Sequence, residues 1–139
     1  MIKAILTLPL LALGLCGLAA PAAMAGPRLT PDQQLAKALA GRTAGKPVDC
    51  INPRINSDTQ IIDRTAIIYG SGRTIYVQQP ENARALDRDD MLVTVLRGTG
   101  QLCSIDVVHL HDRTMGFNRG FVALNKFVPY TRDRVAARD

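Results

Sequence analysis

Three cysteines occur in this chain of 139 residues, and their positions constrain the fold more than any other feature. Cys16 lies inside an apolar N-terminal run, whereas Cys50 and Cys103 lie in the mixed remainder of the chain. If the N-terminal run directs export, the other two cysteines reach an oxidising compartment, where pairing is favoured. A Cys50–Cys103 disulfide closes a sequence separation of 53, which stabilises a fold by about 4 kcal/mol in the chain-entropy model.

The first 25 residues have the organisation of a secretory signal peptide. Lys3 gives a positive start, residues 4–20 form an uncharged apolar run, and residues 23–25 are a small-x-small cleavage site before Gly26. The apolar run is shorter than the roughly 20 residues that a membrane-spanning helix needs. We therefore predict a signal peptide at 1–25 and a periplasmic or secreted location.

Cys16 leaves open a second form of export, as a lipoprotein acylated on that cysteine. Lipoprotein processing requires small residues directly before the cysteine, and Leu15 is bulky. Cleavage after Ala25 is the preferred prediction, and lipidation through Cys16 is its alternative.

Removal of residues 1–25 leaves 114 residues, which fits one domain. The arginines of this part are spread out with acidic residues between them, so it has no basic block of the kind that binds nucleic acid. A second long apolar run does not follow, which predicts no transmembrane segment in the mature chain. The partners left open are another envelope protein or an anionic envelope polymer.

Residues 26–47 are predicted to contain one helix and a linker. Thr30 is suited to the N-cap position, and Leu35, Ala36 and Leu39 are expected to share the buried face. A helix of about ten residues is marginal by itself, so it must dock on the rest of the domain.

Residues 48–130 are predicted to form a small antiparallel sandwich or partly open barrel, because short runs of branched residues alternate with Gly, Pro, Asn and Asp. The clearest element is a hairpin around the glycine turn at 70–73, of which one face should be core. Residues 131–139 are predicted to be a disordered tail. The predicted strands are 48–52, 60–69, 74–79, 91–96 and 102–110, with an exposed connection at 80–90 and a last ordered stretch at 117–130.

His109 and His111 are the weak candidates for metal binding. Residues two apart on a strand project from the same face and can ligate one ion, but the chain has no third histidine, and the next residue on that face is Arg113. The serines lie outside any Gly-x-Ser-x-Gly motif, and the single glutamate lies in a polar loop. We predict no catalytic residues and no cofactor.

Four side chains are candidates for a contact surface with a partner. Phe117 and Arg119 follow Gly116 in a predicted tight turn, and Tyr76 and Tyr130 lie in predicted strands. Exposed aromatic and arginine side chains contribute most of the binding energy at protein interfaces. The prediction is that these four residues take part in binding.

Most of residues 48–130 resembles a group of small exported proteins of unknown function from Gram-negative bacteria. The resemblance implies an envelope location and paired cysteines, and it implies no activity. The pattern of that group does not include His109 and His111. The residues that carry the resemblance are Asp49-Cys50-Ile51, the run from Ile61 to Tyr69, Gly72, Tyr76-Val77, Cys103, Asp106-Val107-Val108, Gly116-Phe117 and the run from Phe127 to Tyr130.

The sequence therefore favours an exported, disulfide-stapled β domain that acts as a non-enzymatic binding or structural factor of the cell envelope. Two alternatives come from other functional classes. One is an inhibitor of an envelope hydrolase, because a small stapled scaffold can hold a loop rigid. The other is a metal-dependent enzyme that uses His109 and His111.

Overall fold

The structure, a computed structural model, describes residues 28–133; the predicted signal peptide, Cys16 and residues 134–139 of the predicted tail lie outside the described residues. The described chain is mainly β with one helix, and its antiparallel sheets do not close into a barrel, so the predicted fold class is confirmed. Helix α1 covers Pro31–Leu39, and the strands are β1 Arg42–Ala44, β2 Cys50–Ile51, β3 Thr59–Ile62, β4 Ala66–Tyr69, β5 Thr74–Gln78, β6 Asp90–Val93, β7 Leu102–Cys103, β8 Val107–Asp112, β9 Asn118–Ala123 and β10 Val128–Arg132.

Helix α1 begins where the sequence predicts. Thr30 Oγ1 accepts a hydrogen bond from Gln33 N at 3.3 Å, and Thr30 N donates to Gln33 Oε1 at 2.9 Å, which together form a capping box. Leu35 and residues 38–39 pack on the sheet, whereas Ala36 is exposed. The predicted buried face was wrong at Ala36, because the neighbours of Leu35 on its own face are three and four positions along the helix.

The largest sheet has five antiparallel strands in the order β1-β10-β5-β4-β3. Both faces of its centre are buried, since Ile68 and Val77 belong to a cluster with α1, while Ile67 and Tyr69 belong to the core shared with the other sheets. The prediction that only one face of this hairpin is core was wrong. Because the helix covers the second face, β4 is apolar throughout instead of alternating.

The predicted strand 60–69 is in fact two strands, β3 and β4, joined by a tight turn. Arg64 has a φ of 55°, and the Thr65 N–H donates to the Ile62 carbonyl at 3.1 Å. A left-handed backbone is uncommon for a residue other than glycine. Here the Arg64 N–H is held by the Leu86 carbonyl at 3.1 Å, so the 80–90 segment supports the turn.

Two smaller sheets, β6-β8-β9 and β2-β7, complete the sandwich. Phe127 is fully buried in the core between the sheets, and its ring meets Tyr69 edge to face with centroids 5.8 Å apart. Leu102 and Val108 bring the two smaller sheets into the same core cluster. One hydrophobic core therefore joins all three sheets.

Cys50 and Cys103 lie directly opposite each other in the β2-β7 ladder and form the predicted disulfide, with their Cα atoms 4.0 Å apart. The predicted strand 102–110 is interrupted directly after this bond. Asp106 Oδ2 accepts a hydrogen bond from Cys103 N at 2.8 Å, and β8 begins only at Val107. The disulfide thus fixes the chain at the point where it passes from one sheet to the next.

Several other predicted boundaries differ from the structure, and three of them concern the division of the chain into segments. Strand β1 lies within 26–47, which was predicted to hold only a helix and a linker. Strand β10 continues to Arg132, two residues into the predicted tail 131–139, because β1 pairs with it. The connection 80–90 is not fully exposed: Leu86 is 2% exposed and packs in the core, and Asp90 is 1% exposed.

Candidate functional site: a groove between two strand edges

Two edge strands from different sheets lie on the two sides of one open groove. Strand β3 is an edge of the five-stranded sheet, and β6 is an edge of the three-stranded sheet. The groove has a volume of about 410 Å³. We call it the edge groove, and its strand lining is Thr59, Gln60 and Ile61 from β3 with Asp90, Met91 and Leu92 from β6.

The backbone of β3 presents hydrogen-bonding groups to the edge groove. The Gly70 N–H donates to the Asp58 carbonyl at 2.7 Å, so the backbone of Asp58 is directed at β4. Successive residues of an antiparallel strand direct their backbone groups to alternate sides. It follows that Thr59 and Ile61 direct their N–H and C=O groups away from β4, towards the groove.

Strand β6 presents its backbone in the same way. The Asp112 N–H donates to the Phe117 carbonyl at 2.9 Å, so the backbone of Asp112 faces β9 and not its β6 partner, Asp90. By the same alternation, Asp90 and Leu92 direct their backbone groups at the groove. The backbone of Asp90 is satisfied there, because its N–H donates to the Asp87 carbonyl at 3.0 Å and its C=O accepts from Arg113 Nη2 at 3.1 Å.

An ion pair between the buried carboxylate of Asp90 and the partly exposed side chain of Arg119 supports the floor of the edge groove. Arg119 Nη1 lies 2.6 Å from Asp90 Oδ1 and 3.6 Å from Asp87 Oδ2. Arg119 lies at the irregularity of the β8-β9 ladder, where the register shifts between Leu110 and His111. A β-bulge of this kind re-aims a side chain, here towards Asp90. The second carboxylate oxygen, Asp90 Oδ2, is buried without a hydrogen-bond partner among the described residues.

Two arginines line the groove beside the strands. Arg88 is already paired, with its Nε 2.7 Å from Asp63 Oδ2, and these side-chain hydrogen bonds lower the pKa of Asp63 below its usual value. Arg113 donates only to the Asp90 carbonyl and forms no ion pair with a carboxylate in the part of the chain that the structure describes. Its positive charge is therefore available to an acidic group in the groove.

The four predicted contact residues are not brought together on one surface. Tyr130 pairs with Ile75 and packs in the cluster under α1, whereas Tyr76 packs against the core on the opposite face of the same sheet. Phe117 is 53% exposed beside the turn that follows β8. Arg119 is directed at Asp90 and is engaged within the chain.

The two histidines have neighbours that explain their positions without a metal. His109 packs edge to face with Phe121, with ring centroids 6.4 Å apart. His111 Nδ1 lies 3.2 Å from the Gly116 carbonyl, at the turn that follows β8. Within residues 28–133, no group of three or more His, Cys, Asp and Glu side chains is placed to hold a metal ion.

The residues of the edge groove were not predicted as site residues. The side chains of Thr59 and Ile61 do not belong to a type that indicates a binding site. Their role comes from their backbone groups, because one side of β3 has no strand partner among residues 28–133. Asp90 could have been recognised from the sequence, because it directly precedes the apolar run of β6. The predicted exposed connection at 80–90 included it, so its burial was missed. The strand order that makes the groove is not encoded in any local pattern.

No protein-family model, curated protein or solved structure matches this chain. The resemblance to exported proteins of unknown function therefore stays a prediction. Among residues 28–133, the structure has no helix of the length and apolarity that crossing a membrane requires.

Proposed function

We propose that the chain is an exported, non-enzymatic binding factor of the cell envelope that recognises an extended segment of a partner protein in the edge groove. The predicted signal peptide and the Cys50–Cys103 disulfide support an oxidising compartment such as the periplasm. The observation that carries the proposal is the pair of strand edges, β3 and β6, which present backbone groups to one groove. An extended peptide can add a strand to such an edge, with main-chain hydrogen bonds providing affinity.

The side chains around the groove define the peptide that fits best. Ile61 and Leu92 are partly buried and pack against the core, so they offer apolar contacts at the base of the groove. Arg113 offers a positive charge without a carboxylate partner among the described residues. The expected ligand is an extended segment of alternating apolar residues with one acidic residue, or a terminal carboxylate, near Arg113.

Peptides selected from a random displayed library against the mature chain test this proposal. The backbone amides of Thr59, Ile61 and Leu92 should exchange hydrogen more slowly when a selected peptide binds, because each gains a main-chain partner. Thr59→Pro removes one groove N–H and should weaken binding at least tenfold. Ala44→Pro is the matched control, since Gly45 N donates to the Pro129 carbonyl at 2.7 Å, which leaves the Ala44 N–H directed away from β10.

Two results contradict the proposal. The first is a set of selected peptides that bind equally well to the Thr59→Pro and Ala44→Pro variants. The second is peptide binding that leaves the exchange of the Thr59, Ile61 and Leu92 amides unchanged.

A second candidate function, inhibition of an envelope hydrolase, is favoured by the turn after β8. Asp112 Oδ1 accepts hydrogen bonds from Thr114 N at 2.8 Å and Met115 N at 2.7 Å, so the turn is held by its own side chain. Met115 is 78% exposed and Phe117 is 53% exposed. A screen against lysozyme and secreted proteases tests this candidate: inhibition that is lost in the Met115→Ala, Phe117→Ala variant supports it, and the absence of any inhibition rejects it.

A further inference from the structure

A second cleft lies on the helix side of the five-stranded sheet and is lined by basic residues from three secondary-structure elements. It has a volume of about 380 Å³, and its cations are Lys37 of α1, Arg42 of β1 and Arg132 of β10. The single acidic residue in its lining is Asp58, which accepts a hydrogen bond from Ser71 Oγ. We call this site the cationic cleft.

Two of these cations lie directly opposite each other. Arg42 and Arg132 are register partners in the β1-β10 ladder, an arrangement of like charges that destabilises a strand pair. Desolvation, followed by repulsion from Arg132, lowers the pKa of Arg42. A bound anion offsets this repulsion between the two arginines. Binding of a negatively charged ligand is therefore expected to stabilise this part of the sheet.

Arg42 is fixed in position by carbonyl groups. Its Nη1 donates to the Arg73 carbonyl at 2.6 Å, and its Nη2 donates to the Gly72 carbonyl at 3.0 Å. Neither Arg42 nor Arg132 forms an ion pair with a carboxylate among the described residues. The guanidinium of Arg42 is thus ordered before any ligand arrives, which lowers the entropic cost of binding one.

We propose that the cationic cleft binds a phosphorylated sugar. Three cations that line one cleft can balance the charge of a phosphoryl group, for which arginine and lysine are the usual protein ligands. The cleft is larger than a bare phosphate requires and lies in the size range of small-molecule sites. Asp58, Gln60 and Ser71 line the same cleft and supply acceptors and donors for sugar hydroxyl groups.

The test measures binding to the full mature chain by titration calorimetry, with glucose 6-phosphate, glucose and inorganic phosphate as separate probes. We expect glucose 6-phosphate to bind at least tenfold more tightly than either of the other two. Arg132→Ala and Lys37→Ala should each weaken that binding at least fivefold. Arg54→Ala removes the same charge from an exposed residue outside the cleft and should leave binding unchanged.

Vesicles of phosphatidylglycerol form a further arm, since a lipid headgroup offers a phosphate on a membrane surface. Binding to vesicles without binding to glucose 6-phosphate overturns the proposal, and so does equal affinity for inorganic phosphate. Equal loss in Arg54→Ala and Arg132→Ala indicates unspecific charge attraction and also overturns it. Peptide binding in the edge groove is expected to be unchanged in Arg132→Ala, so failure here is separable from failure of the proposed function.

Discussion

Replacement of Phe127 by alanine tests the organisation of the core. Phe127 is fully buried, lies in the cluster that joins all three sheets and packs against the ring of Tyr69. Its backbone is also held, since Val48 N donates to the Phe127 carbonyl at 2.9 Å and Phe127 N donates to the Val48 carbonyl at 2.9 Å. The fixed backbone limits collapse of the cavity that the substitution leaves.

The expected loss of unfolding free energy follows from this setting. Truncation of a fully buried phenylalanine costs about 3–5 kcal/mol, and loss of an edge-to-face aromatic pair places this site in the upper half of that range. For a urea dependence of roughly 1.5 kcal/mol per M, the midpoint of unfolding falls by about 3 M. The slope of the transition should stay the same, because the surface exposed on unfolding changes little.

The other two phenylalanines provide controls with identical chemistry. Phe117 and Phe121 are each 53% exposed, so their replacement by alanine should change the unfolding free energy by less than about 1 kcal/mol. Urea unfolding of the oxidised mature chain, followed by circular dichroism, measures all three variants. A Phe127→Ala variant that unfolds at the midpoint of the Phe121→Ala variant would refute the core described above.

Three further outcomes are expected. Replacement of both disulfide cysteines by alanine should lower the unfolding free energy by about 4 kcal/mol in urea titrations; an unchanged midpoint contradicts this. Arg119→Ala leaves the buried Asp90 carboxylate without its ion-pair partner and should lower the melting temperature. Adding Asp90→Asn should restore part of the lost melting temperature. A decrease no larger than that of Arg88→Ala argues against the ion pair. Arg88 lowers the pKa of Asp63, so the stability that this pair provides is present above pH 4 and is lost as the pH falls further. The difference in melting temperature between the parent chain and Arg88→Ala should therefore shrink towards pH 2. A difference that stays constant over this pH range contradicts a stabilising role of the pair.

Local patterns predicted the parts of the fold that depend on near neighbours. The Thr30 capping box needs only residues three apart, and it starts the helix where expected. The disulfide followed from counting the cysteines outside the predicted signal peptide. The mainly β class followed from short branched runs, although β3 and β4 were merged because the turn at Arg64 uses no glycine.

The candidate sites could not be predicted because they depend on which strands meet. Thr59 borders a groove only because β3 has no strand partner on one side among residues 28–133, and β6 faces it from another sheet. Arg119 was assigned to a contact surface, but the bulge turns it towards Asp90 from a strand distant in sequence. Such pairings are set by the packing of the whole sandwich.

The Cys50–Cys103 bond has a consequence for how the protein matures. It joins the two strands of the shortest ladder, which has only two residue pairs and cannot persist alone. The two thiols are brought face to face by the surrounding sheets, so closure of the bond is expected late, once those sheets have assembled. The oxidised form then marks chains in which the surrounding sheets have already assembled.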